Sequence, residues 1–217
     1  MEERCDGKVD CGDTSDEIDC HVLRVDTSYN KDISPPTLGS QASLSIDVTF
    51  VMDTVLKVDE IDEIFYISYT MMVQWYDSRL SYNNLKRQED LNVLTPAQHQ
   101  SIWSPQLIKH NTKSKLKSSL LGSTIRVLLN ENFTFEKADL ASSDNIYIFR
   151  GSENRLEISQ VYDTEFKCQY NMMLYPFDTQ ECHVDLVLTP VHDNFCQLNV
   201  LNFSYTGNLE LREYFVR

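Results

Sequence analysis

Glycine is scarce, six residues in 217, and none falls into a G-x-G-x-x-G run, which excludes a phosphate-cradling loop as the organising chemistry. Neither G-x-S-x-G nor H-E-x-x-H occurs. The five histidines (His21, His99, His110, His183, His192) stand at no close metal-ligand spacing. The chain therefore reads as a non-enzyme. No apolar run approaches the ~18 residues that cross a bilayer; Ile125 to Leu129, among the strongest, is broken by charge within a few residues. Met1 is followed at once by Glu-Glu-Arg, without the apolar stretch of a secretory signal. Positive charge is also short: 19 Lys and Arg against 33 Asp and Glu leave −14. Such a chain repels phosphate backbones, which argues against nucleic acid as a partner.

Hydrophobic residues make up 41%, enough for one large β-sandwich or two small domains. From residue 43 their period is two. Leu44, Ile46, Val48, Phe50 and Met52 alternate with more polar neighbours, and Phe65, Ile67, Tyr69, Met71, Val73 and Trp75 do the same, the mark of half-buried strands. Ile125, Val127 and Leu129 predict a third strand, Val184, Leu186 and Leu188 a fourth, and Leu209 to Val216 a weaker one. Helical periodicity is rare; Thr95-Pro96 opens a short helix through Gln100, with proline at its first position. The pattern predicts an all-β sandwich.

Residues 1–20 differ from the rest and contribute −6 of the charge. Residues 21–42, ending in a proline-containing stretch at 34–37, read as a linker or an irregular lead into the main domain, 43–217. Six cysteines, three of them between Cys5 and Cys20, fit an oxidising compartment. The sequons at Asn132 and Asn202 gain meaning there as glycosylation acceptors. The expectation is an extracellular piece of a longer protein.

The most informative stretch runs from Cys168 to Cys182, thirteen residues enclosed by two cysteines with Tyr175-Pro176-Phe177-Asp178 at the centre. It resembles the signature loop of the Cys-loop receptors, the pentameric ligand-gated ion channels. Gln74-Trp75-Tyr76-Asp77-Ser78-Arg79-Leu80 is similar to that family's W-x-D-x-R-L segment. Ile102-Trp103-Ser104-Pro105, followed by Asn111, is similar to its W-x-P-D…N segment, with Gln106 in place of the aspartate. The resemblance covers roughly residues 29–217. It implies an immunoglobulin-like sandwich of about ten strands, a Cys168–Cys182 disulfide, and a ring of five identical or different subunits. It also implies small-molecule ligands at subunit interfaces, with the loop of Tyr175, Pro176, Phe177 and Asp178 passing gating to membrane helices absent from this chain. The site would then lie at the extracellular face of the plasma membrane. Closing such a loop is worth roughly 3 kcal/mol in the chain-entropy model; a disulfide that only staples a sandwich is the bland alternative.

Carried over position by position, the family's ligand site falls on Thr70 and Met72, His110, Ser159 and Val161, and Thr189 with His192. Aromatic residues, which hold ammonium ligands by cation–π attraction, are missing from these positions. That argues against a quaternary amine and leaves neurotransmitter-like polar ligands, or protons read by His110 and His192.

The N-terminal run Cys5-Asp-Gly-Lys-Val-Asp-Cys11 … Ser15-Asp16-Glu17 … Cys20 looks like the second half of a low-density-lipoprotein receptor class A repeat. In that family the matching positions hold Ca²⁺ through the carboxylates of Asp6, Asp10, Asp16 and Glu17 and the carbonyl of Lys8, a hard-oxygen set suited to the ion. The family's pairing joins Cys5 to Cys20, leaving Cys11 and Cys196 without assigned partners. Two other readings remain open at this point: a secreted, channel-less binding protein of the same fold, and an adhesion or scaffold protein that uses the calcium module.

Overall fold

The computed structural model describes residues 8–14, 20–37, 39, 43–113, 118–132, 134–137, 146–175, 177–189, 195–211 and 216. In chain order the strands are β1 (Leu23–Arg24), β2 (Leu44–Asp59), β3 (Ile64–Trp75), β4 (Ser81–Asn83), β5 (Leu107–Lys109) and β6 (Ser118–Leu128). They continue with β7 (Glu136–Lys137), β8 (Tyr147–Arg150), β9 (Arg155–Lys167), β10 (Leu186–Leu188) and β11 (Cys196–Tyr205). The one α-helix among the described residues, α1 (Pro96–Ser101), carries a capping box in which Thr95 and Gln98 satisfy each other's backbone N–H groups. The fold is the all-β sandwich the alternation requires, built from a five-stranded sheet ordered β11-β2-β3-β9-β6, a four-stranded sheet β1-β4-β8-β7 and a two-stranded sheet β10-β5.

The chain divides into two compact units, and β2, β3, β6 and β9 of the five-stranded sheet contribute residues to both. The first unit holds residues 1–45, 74–104 and 124–158. Its core comprises Trp75, Trp103, Tyr82, Phe149, Leu156 and Val127, with the two indoles edge to face at 6.1 Å. Two buried asparagines are fully engaged, while the Trp75 indole N–H and the Tyr82 hydroxyl are buried without a hydrogen-bond partner among the described residues. Asn92 donates to the Lys86 and Val127 carbonyls and accepts the Lys86 N–H; Asn154 donates to Arg150 O and accepts the Asn130 N–H. Leu23 pairs with Tyr82 and is itself buried, so the segment read as a linker contributes a strand and a core side chain.

Asp77 and Arg79 fasten this unit. The fully buried Asp77 carboxylate accepts Arg79 Nε at 2.9 Å, Arg79 Nη2 at 2.8 Å and Tyr29 Oη–H at 2.9 Å. Arg79 Nη1 donates to the carbonyls of Asn30 and Ile33. Tyr29 Oη in turn accepts the Trp103 N–H at 2.9 Å. Gly151 is required beside them: a β-carbon there would overlap the Asp77 carbonyl and come within 2.7 Å of the Leu80 carbonyl.

The second unit holds residues 46–73, 105–123 and 159–217. Ile46, Val48, Phe50, Ile67, Tyr69 and Phe166 form its core, with Phe50 stacked on Tyr69 at 4.4 Å. The expected strand near the end is not found in its described part: Leu209, Glu210 and Leu211 lie outside the named strands, and 212–215 lie outside the described residues. Leu129 falls one residue past the end of β6.

Candidate functional site

Cys168 and Cys182 are joined in a disulfide with Cα atoms 5.2 Å apart. Cys168 follows β9 directly, is buried, and donates its N–H to the Glu63 carbonyl, which fixes the root of the loop to the β2–β3 turn. Tyr170 adds a hydrogen bond to the Ile64 carbonyl at 2.8 Å, and burial pushes its phenol up to about 12. Gln180 closes the neck by accepting the Asn171 N–H and donating to the Asn171 carbonyl, both at 2.8 Å, while contacting Asp178. A neck held this way projects a short 3₁₀ turn, Met172–Leu174, and the residues after it. Met173 is 88% exposed, Leu174 70%, Tyr175 67% and Phe177 90%. Four large, mostly apolar side chains thus stand exposed on one fastened tip, a larger patch than scattered surface apolar residues make. Pro176 lies outside the described residues.

After Cys182 the chain pairs with the segment that follows Trp103. Leu186 stands opposite Lys109 and Leu188 opposite Leu107. Asn111 clamps the approach, donating to the His183 carbonyl at 2.6 Å and accepting the Asp185 N–H at 3.0 Å. His110 is exposed, and its N–H donates to Asp185 O. At the other end of the pairing the Thr189 N–H donates to Gln106 O. Four residues of strand, about 13 Å, therefore separate the His110 and Thr189 levels. His192 lies outside the described residues.

Thr70 and Met72 occupy the half-buried face of β3, where Thr70 donates to Asp53 at 3.0 Å. The opposite face carries Tyr69, whose hydroxyl meets Thr164 of β9 and whose ring meets Tyr162. Because side chains alternate along strands, Ser159 and Val161 of the neighbouring β9 share the face of Thr70 and Met72. The sequence-derived positions thus form two groups within one chain, one on the β3–β9 face and one along β5–β10.

A cleft of about 1660 Å³ lies in the second unit, lined by apolar residues such as Val48, Phe50 and Phe203 and by His110, His183 and Asp185. The matched residues and the loop architecture are those of one family. The chain belongs to the neurotransmitter-gated ion-channel ligand binding domain family. That family's model matches residues 20–202. The chain is 26% identical over 157 residues to Ligand-gated ion channel 4 of Caenorhabditis elegans, covering 72% of this chain and 21% of that protein. Ligand-gated ion channel 4 of Caenorhabditis briggsae gives the same figures. Identity to the Glutamate-gated chloride channel subunit beta of Haemonchus contortus is 23% over 168 residues, covering 74% of this chain and 33% of that protein. The chain thus spans between about a fifth and a third of the length of these relatives.

Of the calcium set, Lys8 and Asp10 are exposed, while Asp6, Asp16 and Glu17 lie outside the described residues, as does Cys5. Cys20 is disulfide-bonded. Among the described residues no three His, Cys, Asp or Glu side chains gather as a metal site. Cys196 is a buried free thiol whose pKa burial pushes up to about 11, so it is inert near neutral pH. Asn132 and Asn202 are both exposed. Among the described residues no helix is long and apolar enough to cross a membrane.

Sequence reasoning missed one cluster. Lys109 of β5 places Nζ 2.9 Å from the Tyr162 ring centroid and 5.5 Å from that of Tyr69. It donates to Ser118 Oγ at 2.9 Å, and Ser118 Oγ meets Thr164 Oγ1 at 2.9 Å. Nothing in the sequence brings a lysine beside loop position His110 onto tyrosines 40 and 53 residues away; only the sheet order does.

Proposed function

We propose that this chain is the extracellular ligand-binding domain of a ligand-gated channel subunit. In this reading it assembles as a ring of five, takes a small-molecule ligand between subunits, and passes the binding signal to membrane helices through the tip of the Cys168–Cys182 loop. The observation that carries the proposal is the exposed apolar tip of Met173, Leu174, Tyr175 and Phe177 on a neck fixed by the disulfide and Gln180. A secreted binding protein has no use for such a patch, since soluble chains seldom leave one uncovered. An interface between subunits also accounts for the two separate groups of candidate ligand residues. The β3–β9 face (Thr70, Met72, Ser159, Val161) of one subunit would meet the β5–β10 segment (His110, Thr189) of the next.

The test uses the full-length subunit in oocytes, with surface expression measured by biotinylation. Acetylcholine, glutamate and steps of pH serve as probes. Whichever evokes current in the wild type should evoke none in Phe177→Asp, while its binding stays within about threefold. Undiminished current in Phe177→Asp would remove the tip from the pathway. The proton reading predicts that His110→Phe with His192→Phe abolishes a response to pH steps, and an unaltered response contradicts it. The N-terminal segment is proposed as a calcium-binding piece; identical calcium titrations of wild type and Asp10→Asn would remove that role.

A further inference from the structure

Lys109 is the half-buried amine of the second unit that the ligand reading leaves unused. Its Nζ lies over the face of Tyr162, with Tyr69 beyond and, among the described residues, the Ser118 hydroxyl as its one hydrogen-bond acceptor. Among the described residues it forms no ion pair. Among the described residues, the polar and aromatic groups around it are tyrosines and hydroxyls. β3 offers Tyr69, β6 offers Ser118, and β9 offers Tyr162 and Thr164. Asp163 and Glu165 of β9 fall on the opposite face by alternation, and across the β5–β10 pairing the residue at its level is Leu186.

We propose that Lys109 is a proton-driven switch: uncharged, its amine rests on Tyr162 and holds β5 down, and charged, it is drawn out to water and loosens β5 and the adjoining His110. The direction follows from desolvation. Burial without a counter-ion pulls the Lys109 amine down to about 8, against 10.5 for a solvated lysine. The inserted state binds a proton less tightly than the released one, so raising the pH from about 8 to 10.5 favours insertion and lowering it favours release. The ring's attraction for the ammonium opposes release, and it sets how far below the solvated value the inserted amine titrates. Both tyrosines are shifted upward by burial. They keep their protons longer than a solvated phenol, which leaves Lys109 as the first group of the cluster to titrate. The switch stands apart from the ligand reading and survives or fails without it.

Millisecond hydrogen exchange on the full-length subunit tests it, read by mass spectrometry on the peptide spanning residues 107–111 and corrected for intrinsic exchange. Wild-type protection should be flat below pH 8 and rise by up to tenfold per unit between 8 and 10.5. Lys109→Met, which cannot charge, should be protected throughout, and Lys109→Arg, which stays charged, should be loose throughout. Tyr162→Phe keeps the aromatic face and should keep the step, whereas Tyr162→Leu should move it to lower pH. A wild-type profile without the step, or a step that persists in Lys109→Met, overturns the proposal.

Discussion

Removing the Asp77 carboxylate should be among the most damaging single changes in the first unit. Asp77 is wholly buried, and its two oxygens accept from Arg79 Nε, Arg79 Nη2, the Arg79 backbone N–H and the Tyr29 hydroxyl. In Asp77→Ala the guanidinium keeps the Asn30 and Ile33 carbonyls, a longer hydrogen bond to the Tyr29 hydroxyl at 3.3 Å and its place over the Tyr29 ring, but no anion among the described residues. Orphaning one member of a buried ion pair costs about 3–5 kcal/mol. The Arg79 side chain retains 23% exposure, so water relieves part of that and the low end applies, about 3 kcal/mol. With a urea m-value of about 2 kcal/mol/M, the midpoint should fall by about 1.5 M.

Both tryptophans belong to this unit, so indole fluorescence reports the transition directly. Tyr29→Phe, which loses the acceptor of the Trp103 N–H and one donor to Asp77, should cost about 1–2 kcal/mol. The double variant with Asp77→Asn should cost less than the two singles together, because they share a hydrogen bond. Burial pushes the Tyr29 phenol up to about 12, so the unfolded chain, titrating near 10, loses its proton first. Stability should therefore decline as pH rises from 10 to 12, and Tyr29→Phe should lack that component. An Asp77→Ala midpoint within about 0.2 M of wild type would refute this reasoning, since it corresponds to less than about 0.5 kcal/mol.

Cys168→Ser combined with Cys182→Ser removes the closure of a loop with a separation of 14 residues and should cost about 3 kcal/mol in a urea titration. Gly151→Ala places a β-carbon against two backbone carbonyls that cannot swing aside. It should lower stability by more than about 2 kcal/mol, and wild-type stability would show that the turn has room. Asn132 and Asn202 are exposed; after secretory expression, Asn132→Gln and Asn202→Gln should each raise gel mobility by one glycan, and unchanged mobility in either would show that sequon unused.

The two longest alternations were legible because every inward position is apolar: Leu44 to Phe50 and Phe65 to Trp75 alternate without a break. β9 escaped because Thr164, one of its inward residues, is polar, satisfied by Tyr69 and Ser118 from other strands. β11 escaped for a different reason: it lies at the edge of its sheet, and Val200, Leu201 and Phe203 are all exposed, so no single face stands out. The W-x-D-x-R-L resemblance located Asp77 and Arg79, yet their pairing with Tyr29 needs contacts across 48 residues that no local pattern encodes. The ligand positions were found by alignment of motifs, not by chemistry, since Thr70, Val161 and Thr189 carry no signature of their own. Lys109 was illegible for the reason already visible in its partners: three separate strands build its surroundings.

The account rests on this domain belonging to a channel, and the full-length transcript downstream of the Arg217 codon tests that most directly. The account predicts four apolar segments of about 20 residues each, the length that spans a bilayer as helix. A reading frame that closes with none of them would contradict it, and with it the use of the exposed Phe177 tip as evidence for a channel.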